Sequence, residues 1–320
     1  MAAVTVLDPR EVPLGGLRAM TVRRTLPHKD ISLVGAWCFV DHYGPNRIGA
    51  DGPGMDVAPH PHTGLQTVSW LFEGTIEHRD SGGVHGMVRP GEMNLMTGGS
   101  GVAHSEVSTP ETTVLHGVQL WLALPDSARH APRAFDHYEP ASIDVPVVTG
   151  GATARVFIGA LAGLEGTDGA SSPVVVHTPL LGAELVLQPN TSLTLALRPD
   201  FEHGILIDTG SLTLADDDGR TTPVAAAELA VIDAGPERIA LTAGPDGARV
   251  LLLGGTPFEE EIIMWWNFVG RTNEEITTFR EEWEAGSERF GQVEGYVGER
   301  ARIPAPGLPG IKLRSRRRRR

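Results

Sequence analysis

GMDVAPHPHTGLQTVSWLFEGTIEHRDSGGVHGMVRPGEMNLMTGGSGVAHSE, residues 54–106, strings short alternating apolar runs between glycine turns and carries two histidine-containing pairs. His60 and His62 stand two residues apart, as do His104 and Glu106. In a strand, residues i and i+2 project from the same face, so each pair can reach one point. Imidazole nitrogens and carboxylate oxygens bind divalent first-row ions, and two such pairs on neighbouring strands supply three nitrogens and one oxygen. A structural zinc site is a poor match, because Cys38 is the chain's one cysteine. A lone strand histidine is usually just packed or exposed. Two correlated pairs, one after Gly54 and one after PGEMNLMTGGSG, make metal binding the reading here.

Working outward, TVSWLF and TIEHR flank Glu73 and Gly74 as a tight hairpin, and DSGG at 80–83 marks a second turn. The expected product is a meander that closes into a small antiparallel barrel with a ligand at its mouth. His78 and His85 lack a ligand-like partner and are expected to face solvent. His116, in VLHGVQLWLAL, follows the second pair and is a candidate to hydrogen-bond a substrate or a metal ligand, against a plainer structural role. His42 precedes the Gly44–Pro45 turn, where local bonding is the first reading and an approach to the metal the second.

The remainder fits a second all-β half. With 320 residues, 41% hydrophobic, 39 glycines and 24 prolines, the chain has material for two β-rich domains. Residues 125–150 read as a crossing linker, after which ARVFIGAL, AELVLQP, SLTLALRP and HGILIDTG repeat the strand rhythm. Ligand pairs are missing there: His177 and His203 stand alone, and Asp216 to Asp218 read as a hairpin tip rather than a calcium loop. One helix is expected over 273–285. Thr272 and Glu275 have capping-box spacing, Ile276, Phe279 and Trp283 form one apolar face, and Gly286 ends it. Trp265 and Trp266 just before it are expected in an interdomain core, and IIMWWNFVG as a strand crossing back to the first domain. No signal-like or membrane-spanning stretch is seen, and buried-looking Cys38 suits a reducing compartment, so a soluble cytoplasmic protein is expected.

Net charge is −13, but Lys312, Arg314 and Arg316 to Arg320 hold seven of the 27 basic residues. The body therefore sets 20 basic against 40 acidic side chains, which argues against nucleic acid binding by the barrels. The tail, 300–320, is expected to be disordered. It is free to meet nucleic acid, anionic lipid or the protein's own acidic face.

The wording HPHTGLQTV followed by GEMNLMTGGSGVAHSE resembles the two cupin motifs, and among cupins it is similar to the pirin family. TVRRTLPHKDISLVGAWCFVDHYGP upstream and HGVQLWLALP downstream extend the resemblance strongly over the first 125 residues and loosely beyond. It implies an all-β bicupin: two stacked antiparallel β-barrels of jelly-roll type with a short C-terminal helix. The N-terminal cupin would span 1–135 and hold the metal; a metal-free C-terminal cupin would span 150–290. The implied ligands are His60, His62, His104 and Glu106, and the implied ion is one divalent first-row metal, iron first, with Mn, Ni, Cu or Zn open. Where pirins commonly carry a glutamate this chain has Gln66, so a second carboxylate expected near the metal is replaced by an amide.

The implied activity is that of a quercetin 2,3-dioxygenase-like oxidoreductase acting on a small aromatic hydroxy-ketone, with Glu106 as ligand or general base. The competing class is a non-enzymatic, metal- or redox-dependent regulator that binds a protein partner. A third reading is a bicupin whose metal only stabilises the barrel.

Overall fold

The computed structural model describes residues 4–14, 20–48 and 54–318, and almost every element in it is a strand. The described residues divide into two compact units, one made of Glu11–Val22, Phe39–His137 and Glu259–Arg320, the other of Met1–Arg10, Arg23–Cys38 and Tyr138–Phe258.

In the first unit, a four-stranded sheet runs in the order Asp56–His62, Val102–Ser108, Ile76–Asp80, His85–Val88. Facing it are strands of a second sheet in the order Ala134–Tyr138, Met93–Thr97, Leu65–Glu73, Val114–Ala123, Trp37–Arg47. Both orders run open from edge to edge, so the expected closed barrel is replaced by sheets that face each other across a core.

This arrangement also corrects the hairpin expected at Glu73–Gly74. Leu65–Glu73 pairs with Met93–Thr97 and Val114–Ala123, whereas Ile76–Asp80 pairs with Val102–Ser108 and His85–Val88. Gly74 is therefore a corner between sheets. Its φ is +90°, and a Cβ there would lie 2.5 Å from the Val114 carbonyl oxygen, a place only glycine fills. The turn at 80–83 does join a hairpin, with the Asp80 carboxylate accepting the N–H groups of Gly82 and Val84 at 2.7 and 3.1 Å.

The helix Asn273–Ala285 has the expected capping box, Gly286 at φ +69°, and buried Ile276, Phe279 and Trp283. It packs with Ala103, Ile263, Phe268 and Phe290, which places it in the unit of the N-terminal motifs rather than with residues 150–258. Ala103, between Val102 and His104 on its strand, lies in the same buried cluster as the helix residues Ile276, Phe279 and Trp283. Trp265 and Trp266 pack within this same cluster. The short hairpin of Ile263–Trp265 and Phe268–Gly270 joins the motif strand through Val269 N–H to Thr63 O at 3.0 Å, as expected of a segment that crosses back.

Residues 300–318 differ from the expected disordered tail. Ile303 O accepts from Trp283 Nε1 at 2.9 Å, Ile262 and Arg316 form a bridge, and Arg317 lies 3.3 Å from Glu261. Basic residues meet acidic ones on the protein's own surface, which opposes the self-repulsion of the run. Residues 319–320 lie outside the described residues.

The second unit is a nine-stranded sheet whose main path runs Val4–Leu7, Leu229–Ile232, Glu202–Ala215, Arg238–Gly255, Leu180–Leu187, Ala152–Ile158, Ile143–Asp144. Residues 23–38 belong to it because the Trp37 indole donates to Leu181 O and Gly254 O at 3.2 and 3.1 Å, and Gly35 N–H to Glu202 at 2.7 Å. Asp216 to Asp218 form the expected hairpin tip between Glu202–Ala215 and Thr221–Val224. Among the described residues no helix is long and apolar enough to cross a membrane.

Candidate metal centre

Asp56–His62 is an edge strand, and its sequence explains why. Pro59 and Pro61 have no N–H to give to a ladder, and proline is tolerated at sheet edges and bulges. His104 pairs with His60 while Glu106 pairs with Val57, so this strand carries one extra residue, a bulge at Ala58–Pro59. The bulge brings Ala58 O to 3.0 Å from His60 Nδ1. That nitrogen is then the N–H donor, and Nε2 is left bare.

His60, His62 and His104 converge, each offering a ligand nitrogen within 4.8 Å of the others. His62 Nδ1 lies 3.2 Å from Asn267 O and therefore carries its proton there. Trp266 just before Asn267 has a left-handed φ of 53°, a strained conformation for a non-glycine residue. His62 Nε2 then stands 3.1 Å from His104 Nε2. A hydrogen on His104 Nε2 would make this contact a hydrogen bond, whereas a bare Nε2 would call for a cation between the two rings, and bonds of about 2.1 Å at a right angle separate two ligand nitrogens by about 3.0 Å. The donor set therefore fits a divalent ion.

Electrostatics point the same way. Burial lowers His60 to about 4; burial first, then neighbouring histidines, hold His62 and His104 well below the ordinary value. All three are neutral at pH 7, as ligation requires. Burial raises Glu106, opposed in part by His78 and by the Ser69 hydroxyl at 3.3 Å.

Glu106 does not fall in the three-histidine group but clusters with His78 and His104. His78 is thus a correction: expected in solvent, it is 3% exposed. Along Ile76–Asp80, residues 76, 78 and 80 are buried while 77 and 79 are half-buried, and the ladder sets Asp80 opposite His104 and His78 opposite Glu106. His78 and Asp80 form a third i, i+2 pair, legible in EHRD but hidden by reading that stretch as a surface hairpin. Burial pushes the Asp80 carboxyl up, yet hydrogen bonds from His78, Val84 and Gly82 outweigh it and keep the group below its ordinary value. His85, as expected, is exposed, 2.6 Å from Glu77.

Gln66 lies elsewhere. Its amide donates to Thr97 Oγ1 at 2.9 Å, and it pairs with Leu122 and Thr97, whereas Thr67 pairs with Trp121, whose ring lies 5.2 Å from His62. Strand alternation puts Gln66 on the face away from the histidines, so the expectation of a group beside the metal is not met. His42 and His116 likewise pack on each other, 5.7 Å between rings, and on Phe72, outside the three-histidine group.

Sequence reasoning also missed the wall of the site. Trp121 stacks on Phe39 at 4.0 Å, Ser69 reaches Gln119 at 2.9 Å, and the Tyr43 hydroxyl is buried without a hydrogen bond among the described residues. Burial, then the nearby Glu106 and Asp41 carboxylates, raise Tyr43.

A histidine cluster between facing sheets, in a chain whose two units are both all-β, defines a bicupin. Comparison with known proteins agrees: the pirin family's sequence pattern matches residues 18–122, and that of the pirin C-terminal cupin domain residues 182–291. A Pseudomonas aeruginosa protein named "Putative quercetin 2,3-dioxygenase" is 42% identical over 94% of this chain and 89% of its own length. A "Pirin-like protein" of Caulobacter vibrioides is 36% identical over 88% of this chain and 93% of its own. The crystal structure of quercetin 2,3-dioxygenase from Acinetobacter baumannii superposes with a TM-score of 0.86 at 39% identity, covering 98% of this chain and 97% of that one. The chain belongs to the pirin family.

Proposed function

We propose that His60, His62 and His104, with Glu106, hold one divalent first-row metal, iron first, and that the protein is a dioxygenase for flavonol-like substrates. The convergence of three buried imidazoles, with His62 Nε2 3.1 Å from His104 Nε2, carries the metal reading; the names of the Pseudomonas and Acinetobacter relatives support the substrate class. Three neutral imidazoles and one carboxylate leave a divalent ion with a net single positive charge, which favours an anionic, bidentate hydroxy-ketone edge. A bound ion would supply Lewis acidity and a path for electrons between substrate and dioxygen.

The chain's own groups do the rest. Burial makes Glu106 a stronger proton acceptor than an exposed carboxylate, suited to taking the substrate hydroxyl proton, and Ser69 orients it. Trp121 and Phe39 offer flat apolar surface beside His62 for an aromatic ring. The test is aerobic turnover of flavonols by metal-loaded protein, followed by oxygen uptake and loss of flavonol absorption. Glu106→Gln, once shown to hold metal, should lose turnover by more than it loses flavonol binding, about 100-fold or more as expected for a general base. If loaded wild-type protein neither consumes oxygen nor perturbs the flavonol spectrum, the dioxygenase reading fails.

A further inference from the structure

Behind the three-histidine cluster stands a row of groups that the chemistry above does not use. Asp80 is held from one side: its Oδ1 accepts the N–H groups of Gly82 and Val84 at 2.7 and 3.1 Å, so Oδ2 alone faces inward. His78 Nε2 lies 3.2 Å from that oxygen, and His78 Nδ1 lies 3.4 Å from His104 Nδ1. The Phe135 ring packs against His78 at 4.8 Å and fixes its plane. The ladder sets Asp80 opposite His104 and His78 opposite Glu106, so backbone register keeps the row aligned.

We propose that Asp80 and His78 are positioning residues that fix the tautomer of His104 and so present its bare Nε2 to the metal. A carboxylate can only accept, so a His78 ring with a single hydrogen carries it on Nε2 and leaves Nδ1 as an acceptor. His104 then donates Nδ1–H to His78, and its Nε2, 3.1 Å from His62 Nε2, has no hydrogen. The oxygen that decides this lies two rings away from the ligand atom. In metalloproteins a carboxylate behind a ligand histidine has this office; here a second histidine is interposed. The proposal rests on the reading of His104 as a metal ligand.

Asp80→Asn reverses the row with almost no change in shape. The N–H groups of Gly82 and Val84 still require an acceptor, so the asparagine oxygen turns to them and its NH2 faces His78. His78 Nε2 must then accept, its hydrogen moves to Nδ1, His104 Nδ1 becomes the acceptor, and the His104 hydrogen moves to Nε2, where it blocks ligation. Imidazole nitrogen NMR on metal-free protein at pH 8 reads these tautomers directly. Wild type should show His104 as the Nδ1–H form and Asp80→Asn as the Nε2–H form.

Calorimetric titration with Ni2+ should show a 10- to 100-fold weaker affinity for Asp80→Asn, the range typical when such a supporting group is lost. His78→Asn, whose side-chain oxygen can occupy the place of the imidazole Nδ1, should stay within a few-fold of wild type. His78→Leu should fall with Asp80→Asn. Wild-type His104 found as the Nε2–H form, or wild-type affinity in both Asp80→Asn and His78→Leu, would overturn the proposal. The tautomer measurement needs no metal, so it decides the row even if wild-type protein binds no Ni2+, a result that would instead sink the ligand reading.

Discussion

The interiors of the two units differ most in whether a cluster of histidines lies within them. Where the N-terminal unit places His60, His62, His104, Glu106, Ser69 and Gln119 between its sheets, the C-terminal unit buries Leu185, Ile205, Ile207, Leu212, Val250 and Leu252. Each such aliphatic side chain contributes about 1.5–3 kcal/mol on full burial. The buried polar set works the other way, since burial disfavours the charged forms of its histidines. One scaffold is closed by its own packing; the other carries a histidine cluster that a divalent ion would complete. An ion present at 100 times its dissociation constant would return about 2.7 kcal/mol to the N-terminal unit.

Removing a ligand gives the largest effect expected from this contrast. His62→Ala and His104→Ala should weaken metal binding by more than about 100-fold, beyond what loss of a merely supporting residue produces. His177→Ala and His203→Leu should leave stoichiometry unchanged, because neither has a partner two residues on. Elemental analysis after dialysis reads both. Loss of metal in the His203 variant alone would collapse the contrast.

How much of this was legible in the sequence follows from what local pattern can encode. The alternation around HPH and HSE announces strands, and the capping residues Thr272, Glu275 and Gly286 announce the helix, because both signals are local. Which strands pair is not local. Gly74 looks like any hairpin glycine, and only the close approach of Val114 O makes it a corner between sheets. The same gap hid His78, whose burial depends on Val102–Ser108 lying beside it. The three clustered histidines were legible as candidates because i, i+2 spacing survives any pairing. The placement of Gln66 was not, since a motif gives its distance along the chain but not the face it occupies.

Acid should sharpen the contrast further. His60 in one unit and His203 in the other are both lowered to about 4, each chiefly by burial. In the folded protein they stay neutral, while in the unfolded chain they take up protons below the usual value of about 6.5. The unfolded state binds more protons between about 4 and 6.5, so stability falls as pH drops through that window. From pH 7 to 5 each such histidine removes about 2 kcal/mol, and His62 and His104 add to the N-terminal share. Glu106, raised by burial, opposes this in part, because the folded state takes up its proton first. Metal-free protein should therefore melt markedly lower at pH 5 than at pH 7. Saturating metal should offset the part due to the ligand histidines and leave that of His203. Melting temperatures of His203→Leu with and without metal separate the two; equal acid sensitivity in all four samples would contradict the assignment.

The smallest effect concerns a residue beside the ligand motif that belongs, by its face, with the packed interior. Gln66 is 2% exposed and bonded to Thr97, among side chains such as Leu122 that turn away from the histidines. If proximity in the motif decided function, Gln66→Glu would add a carboxylate to the metal and tighten binding. If strand alternation decides it, the new carboxylate is buried against Thr97, out of the ion's reach. As an acid it is then pushed up by burial, protonated and able to donate to the Thr97 hydroxyl at low pH, but charged at a cost at high pH. Gln66→Glu should thus lose about 1–3 kcal/mol of stability at pH 8, the penalty of an ill-matched buried polar group, and less at pH 5. Its Ni2+ affinity should match that of wild type. A several-fold gain in affinity at pH 8 would place residue 66 on the metal side of the sheet.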